Sequence, residues 1–336
     1  MSRVNIKTGV IGGGSWGSAF ALHLGRLGIK TQLWVREEDI LAELSRKRQN
    51  SIFLPHHIFS RWVSFSGNIR ATALSADVLF IAVPSRFCRA VFSEIAPVLS
   101  KSQIVVSLTK GIEEGSLKRM TELMTEMFPR RARPRLAVLS GPSFAREVAE
   151  KHPTAVVIAS ENAECARNIQ HLVSNIHFRA YASRDMVGVE LAGAMKNVIA
   201  LATGISDSLD FGHNSRAALI TRGIAEMTRL GVKLGARMDT FLGLAGIGDL
   251  VLTCTAKLSR NYHVGYELGR GRSLARILLR MKMVAEGITT TISVRDLSRR
   301  EGIEMPISEE VYRILYEGKD PRRSMRDLML RSLKVE

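Results

Sequence analysis

One lysine stands alone in the run ELAGAMKNVIALATGIS, residues 190–206: after Glu190, Lys196 is the only ionisable side chain before Asp207. The small and apolar residues around it predict a helix that is apolar on every side, and such a helix is normally buried. An unpaired ammonium is costly to bury, so a lysine there is paired, shifted in pKa or in use. Ala192, Gly193 and Ala200 lie at i−4, i−3 and i+4, and their small size leaves room beside the ammonium for a ligand or another helix. Desolvation lowers a lysine's pKa and can make it a base near neutral pH, whereas the charged form holds an anion. The plainer alternative is a lysine paired with a buried carboxylate. Asp249, which follows Gly243, Gly246 and Gly248 in GLAGIGDLVLTCT, is the candidate partner. Those glycines suggest close packing or backbone approach to a ligand.

Three other stretches carry chemistry. GVIGGGSWGSAF contains G-x-G-x-x-G as Gly12, Gly14 and Gly17, leaving a strand and opening a helix, the context of a dinucleotide-binding loop. Gly12 allows the tight turn, Gly14 lets a pyrophosphate approach the backbone, and Gly17 lets helix and strand pack closely. Free N–H groups at the helix start then face phosphate. LWVRE puts Arg36 ahead of Glu37 at the end of the second strand. An acidic residue there bonds the ribose hydroxyls of NAD, while arginine suits a 2′-phosphate. The order favours NADP(H) and leaves dual use of NAD(H) open. SLTKGIE and LSGPSFA place Lys110, then Gly141, Ser143 and Ala145, just beyond strand ends, where open parallel sheets bind ligands. KLSRNYHVG supplies Ser259, Arg260 and Asn261; an arginine between neutral hydrogen-bonding side chains suits a phosphate monoester, although alone the trio reads as a solvated loop.

The first half of the chain alternates strand and helix, as a mostly parallel α/β sheet requires. Strands are expected in KTGVIG, KTQLWVR, DVLFIAVP, QIVVSLTKG, RLAVLSGPS and TAVVIAS and near 176–181, with helices in SWGSAFALHLGRLG, EEDILAELSRKRQ and SRFCRAVFSEIAPVL and over 161–174. From about Asp185 helical periodicity takes over at 185–204, 214–234, 260–270, 273–281, 287–300 and 306–317. The expected organisation is a Rossmann-type dinucleotide-binding domain over 1–188, followed by an all-α domain over 189–336.

Composition bounds the rest. The 336 residues, 46% hydrophobic and 24% charged, suit a folded protein of two domains. No uncharged apolar stretch reaches the roughly 18 residues of a membrane span, and the N-terminus reads as a strand rather than a signal peptide. Cys88, Cys165 and Cys254 are odd in number and widely spaced, which argues against a disulfide framework or zinc site and fits a cytoplasmic protein. No metal is expected. The net charge of +16 admits nucleic acid, an anionic membrane or anionic small substrates. No zinc finger, RNP pattern or heptad accompanies it, and a solvated basic surface is the favoured reading.

Taken in order, GGGSWGSAFA, SLTKGIE, SGPSFAREV, ELAGAMKNVIALATGI, NSRAALITRGIAEMTRLG, FLGLAGIGDLVLTCT, SRNYHVG and VAEGITT resemble the bacterial NAD(P)-dependent glycerol-3-phosphate dehydrogenases over nearly the whole chain. The resemblance implies reversible reduction of dihydroxyacetone phosphate to sn-glycerol 3-phosphate for phospholipid synthesis, with the active site between a dinucleotide-binding and a helical domain. It implies Lys196 as proton donor and acceptor. Lys110, Gly141, Ser143, Lys196, Asp249, Ser259, Arg260 and Asn261 would contact substrate. Ser15, Trp16, Arg36, Lys110, Ala145, Arg260, Val284 and Glu286 would contact cofactor beside Gly12, Gly14 and Gly17. A homodimer is common for such folds. Two departures stand out: His213 in FGHNSRAAL, where the family often has an acid, and Ala285 between Val284 and Glu286. The rivals are a related two-domain hydroxyacid dehydrogenase and a nucleotide-binding regulator that binds nucleic acid; neither explains both Lys196 and the Ser259–Asn261 trio.

Overall fold

The computed structural model describes residues 5–281, 283–333 and 335. The chain divides into two compact units: Met1–Lys110 with Lys118–Glu190, and Gly111–Leu117 with Leu191–Glu336.

The first unit is built on one eight-stranded sheet. Its strands are β1 (Lys7–Ile11), β2 (Lys30–Trp34), β5 (Val63–Ser66), β6 (Val78–Ile81), β7 (Ile104–Ser107), β8 (Arg135–Ser140), β9 (Thr154–Ala159) and β10 (Phe178–Ser183). They lie in the order β10-β9-β8-β7-β6-β1-β2-β5. A two-stranded hairpin, β3 (Gln49–Asn50) and β4 (Leu54–Ile58), stands apart. Every neighbouring pair in the large sheet is parallel except β8 with β9. Crossover helices cover both faces, so the central strands are buried on both sides and lack polar alternation. VLFI in β6 and IVVS in β7 are buried at every residue. Successive side chains of one strand enter opposite cores. Val10, Phe80 and Val106 join Phe20 and Phe178 in one cluster, while Ile11, Leu79, Ile81 and Val105 join Phe92 and Phe128 in the other.

Residues 50–76, for which no element was expected, hold β4, β5 and the helix Ile69–Leu74. Pro55 inside LPHHI and the short, partly exposed VSFS hide the two strands, since proline and weak alternation argue against a strand. The helices Met120–Met127 and Ala145–Ala149 are short enough to read as loop.

The second unit has helices but no strand among its described residues. The helix Met186–Ser208 opens it, the division between units falling after Glu190. Asp185 caps this helix, its carboxylate accepting from the Gly188 N–H at 2.8 Å. By length and mean hydropathy it is the one helix among the described residues long and apolar enough to cross a membrane. Lys196 interrupts the run, so the sequence holds no uncharged stretch of that length there. In the structure 83% of that apolar window is buried within the protein. There follow Gly212–Lys233, Met238–Leu242, Asp249–Thr255, Arg260–Gly269, Leu274–Arg280, Glu286–Glu301, Pro306–Tyr316 and Pro321–Met329. A π-helical turn, Leu244–Gly248, leads into Asp249–Thr255. Gly246 is needed there, because a Cβ would lie 2.1 Å from the Phe241 carbonyl oxygen.

Candidate active site

The glycine loop joins β1 to the helix Ser15–Arg26. Its glycines are required for different reasons. Gly12 has φ +122°, and a Cβ on it would sit 2.6 Å from the Ala82 oxygen. A Cβ on Gly17 would sit 1.9 Å from the Gly12 oxygen. Gly14 is different: nothing lies within 4 Å of where its Cβ would be. Gly14 is also the N-cap of the helix and offers no side-chain cap to the first-turn N–H groups. Open space over Gly14, uncapped N–H groups and a buried Trp16 Nε1 without a hydrogen-bond partner in the protein fit a bound dinucleotide pyrophosphate. Ser15 begins the helix. Arg36, past the end of β2, is exposed; its Nη2 donates to Glu37 Oε1 at 3.0 Å.

Elsewhere in the first unit, past the ends of β7 and β8, two expected substrate residues meet on a third. Lys110 Nζ and Ser143 Oγ each donate to the Gly141 carbonyl at 2.9 Å. Gly141 has φ +141°, and a Cβ there would be 2.9 Å from Val156 Cα, so the backbone turns where only glycine fits. Ala145 starts the next helix.

In the second unit Lys196 is 5% exposed and its ammonium has named partners. It donates to Asp249 Oδ1 at 2.8 Å and to Thr253 Oγ1 at 2.6 Å. Asp249 is in the first turn of its helix, where a carboxylate is favoured by the helix dipole. Thr253 lies at i+4 on the same face, and its hydroxyl donates to the Asp249 carbonyl at 2.6 Å. That bond uses the only hydroxyl proton, so Thr253 can only accept from Lys196. Ala192 and Ala200 are fully buried beside the lysine.

A second group lies in the same unit. Ser259 caps the helix Arg260–Gly269, accepting from the Tyr262 N–H at 3.2 Å. Asn261 Oδ1 accepts from the Gly287 N–H at 2.9 Å. A Cβ on Gly287 would lie 2.7 Å from the Asn197 carbonyl oxygen. Gly287 therefore joins the neighbour of Lys196 to the trio, with Glu286 opening its helix. Arg260 keeps exposed surface, yet desolvation pulls its pKa below the ordinary arginine value against the opposing charge of Glu286. The trio is thus a helix start, not a solvated loop. Val284 is half-buried, two residues before Glu286. Among the described residues no group of three or more His, Cys, Asp or Glu is arranged to hold a metal ion.

One participant escaped sequence reasoning. Thr253 orients Lys196; its only signal was the i+4 spacing from Asp249. Asn197 contributes the backbone on which Gly287 packs.

A glycine loop without a helix cap, in a doubly wound sheet, accompanies a buried lysine held by an aspartate and a threonine. These define the class: a nicotinamide-dependent dehydrogenase. The comparisons are specific. Residues 7–166 match the N-terminus, and residues 185–326 the C-terminus, of NAD-dependent glycerol-3-phosphate dehydrogenase. The chain is 51% identical over 331 residues to glycerol-3-phosphate dehydrogenase (NAD(P)+) of Syntrophotalea carbinolica, covering 98% of this chain and 99% of that one. It is 50% identical to the protein of the same description from Syntrophobacter fumaroxidans, covering 98% and 96%. It resembles the crystal structure of glycerol-3-phosphate dehydrogenase from Coxiella burnetii with a TM-score of 0.93 at 38% identity, covering 97% and 99%. The chain belongs to the NAD-dependent glycerol-3-phosphate dehydrogenase family.

Proposed function

We propose that this chain reduces dihydroxyacetone phosphate reversibly to sn-glycerol 3-phosphate, with NADP(H) preferred and NAD(H) also accepted. The observation that carries the reading is the oriented ammonium of Lys196, 2.8 Å from Asp249 and 2.6 Å from Thr253 inside an apolar helix. When bound, the dinucleotide supplies or accepts the hydride. Lys196 gives a proton to the alkoxide that develops on the ketone oxygen, and in the reverse direction takes the hydroxyl proton. Its charge also stabilises that oxygen as negative charge builds. Asp249 and Thr253 hold the ammonium in direction. Lys110 adds a second positive charge, with Gly141 and Ser143 beside it as substrate contacts. Arg260 grips the substrate phosphate, flanked by Ser259 and Asn261, and this remote binding positions the reacting carbon.

Gly12, Gly14 and Gly17 take the pyrophosphate, with Ser15, Trp16, Arg36, Lys110, Ala145, Arg260, Val284 and Glu286 as further cofactor contacts. Residues 1–188 act as the dinucleotide-binding domain and residues 189–336 as the substrate and catalytic domain. The protein works in the cytoplasm as a homodimer and supplies glycerophospholipid synthesis.

The test is oxidation of NADPH and NADH, in parallel, on adding dihydroxyacetone phosphate, with unphosphorylated dihydroxyacetone as control. Rapid oxidation with the phosphorylated ketone alone is expected. No turnover with either cofactor, from folded protein shown to bind nucleotide, would overturn the reading.

A further inference from the structure

Phe87, near the start of the helix Ser85–Ile95, presents one aromatic ring to two guanidinium groups. The guanidinium carbon of Arg86 lies 4.6 Å from the ring centroid and that of Arg36 lies 5.4 Å from it. Arg36 follows β2, and Arg86 and Phe87 follow β6. These two strands flank β1, which carries the glycine loop. Both arginines therefore stand beyond the carboxyl ends of parallel strands, on either side of the pyrophosphate loop. In a doubly wound sheet that is where the adenosine half of a dinucleotide reaches, and the end of β2 meets the ribose 2′ position.

The charges are unequal. Arg36 is engaged by Glu37 at 3.0 Å, so that pair is close to neutral. Arg86 is exposed and has no carboxylate partner among the described residues. Arg89, one turn further along the same helix, is by contrast paired with Glu126 at 2.9 Å. Arg36 alone, balanced by Glu37, would discriminate poorly between a ribose hydroxyl and a phosphate. With Arg86 the site has a net positive charge and two planar donors, the set that suits a phosphate dianion.

We propose that Arg86 is a specificity-determining residue: with Arg36, and with Phe87 as their shared platform, it binds the 2′-phosphate of NADP(H). Phe87 holds both guanidinium planes in place through its ring face. The inference rests on the cofactor reading above, and its test separates the two.

Adenosine 2′,5′-bisphosphate and 5′-AMP, fragments without nicotinamide, are titrated calorimetrically into the parent chain and into Arg86→Ala, Arg86→Lys and Arg36→Ala. The kcat/KM ratio for NADPH over NADH is measured alongside. Arg86→Ala is expected to weaken the bisphosphate by about tenfold, leave 5′-AMP within about twofold, and lower the NADPH/NADH ratio by a similar factor, in line with the loss of one charge-assisted contact. Arg86→Lys, which keeps the charge and loses the fork, is expected to fall between. Equal weakening of both fragments would overturn the inference, since Arg86 would then contact only the adenosine. No weakening of either would overturn it as well. If Arg36→Ala weakens the bisphosphate and Arg86→Ala does not, the inference fails and the cofactor reading stands. If the parent itself does not distinguish the fragments, both fail.

Discussion

Two buried charges lie on the helix Met186–Ser208, and they are finished differently. Glu190 belongs to the first unit and Lys196 to the second. Glu190 Oε1 accepts from the Thr121 N–H at 2.8 Å; Oε2 accepts from Thr121 Oγ1 at 2.5 Å and from Arg119 Nη1 at 2.6 Å. Arg119 is bound in turn by Glu122 at 2.9 Å. Burial raises the Glu190 pKa, with Arg119 and Thr121 opposing it. These bonds pin the start of one helix to the helix Met120–Met127. Lys196 is buried as deeply, but its partners are a carboxylate and a hydroxyl already committed as donor to a backbone oxygen. They fix the direction of an ammonium. Both sites bear the cost of desolvation. One holds two segments together; the other fixes an ammonium in direction, as the proposed proton transfer requires.

That contrast can be broken by substitution. Asp249→Asn is expected to lower kcat by about a hundredfold, within the span usual for general acid–base groups, with modest loss of stability. Steady-state assays beside thermal melts would show it; an unchanged kcat would make the Lys196 pair as structural as the Glu190 pair. Glu190→Ala should do the reverse. It leaves Arg119 short of a buried partner and is expected to cost about 3 kcal/mol in denaturant unfolding, while kcat of the folded fraction stays within about twofold.

The glycine loop offers the same contrast on a smaller scale. Gly17→Ala would force a Cβ to 1.9 Å from the Gly12 oxygen and should lower the melting temperature. Gly14→Ala meets nothing within 4 Å. It should fold as the parent does and bind NADPH about tenfold more weakly by fluorescence titration, because the methyl occupies the space over which the pyrophosphate approaches.

The smallest effect concerns Glu226, buried in the helix Gly212–Lys233. It accepts from the Ile307 N–H at 2.6 Å and from the Ser308 N–H and Oγ at 3.3 and 3.1 Å, at the start of Pro306–Tyr316. Desolvation lifts its pKa from 4.5 to about 7, against those hydrogen bonds. The folded state thus holds a proton that the unfolded state has released between about pH 4.5 and 7, so this group's contribution falls as pH rises through that window and stays low above it. Glu226→Gln should therefore gain stability relative to the parent as pH rises from 5 to 8. Melting curves for both chains at several pH values would check this; a constant difference would rule the titration out.

What could be read from sequence depended on how strongly a feature departed from its surroundings. The helix around Lys196 was plain because one charge interrupts a long apolar run, and Asp249 followed from its glycines. Thr253 was hidden, since a threonine in a helix has many ordinary uses. The role of Glu190 was hidden, because its partners, Arg119 and Thr121, lie 71 and 69 residues away in the sequence. The basic, partly exposed stretch 50–76 has no clear period of 2 or 3.6. The helix Pro321–Met329 carries start signals in the sequence, Asp320 as its cap and Pro321 in its first turn, but no long apolar run to mark it. Arg86 gave none, because it comes to the Phe87 ring beside Arg36 only once β2 and β6 flank β1 in the sheet.

The most direct measurement is turnover of Lys196→Ala with NADPH and dihydroxyacetone phosphate, with the Kd of each measured on the same folded protein. A fall in kcat of about a thousandfold, with both Kd values within about threefold of the parent, is expected of a proton donor. Turnover within tenfold of the parent, with both ligands still bound, would contradict it and leave Lys196 as the buried half of an ion pair.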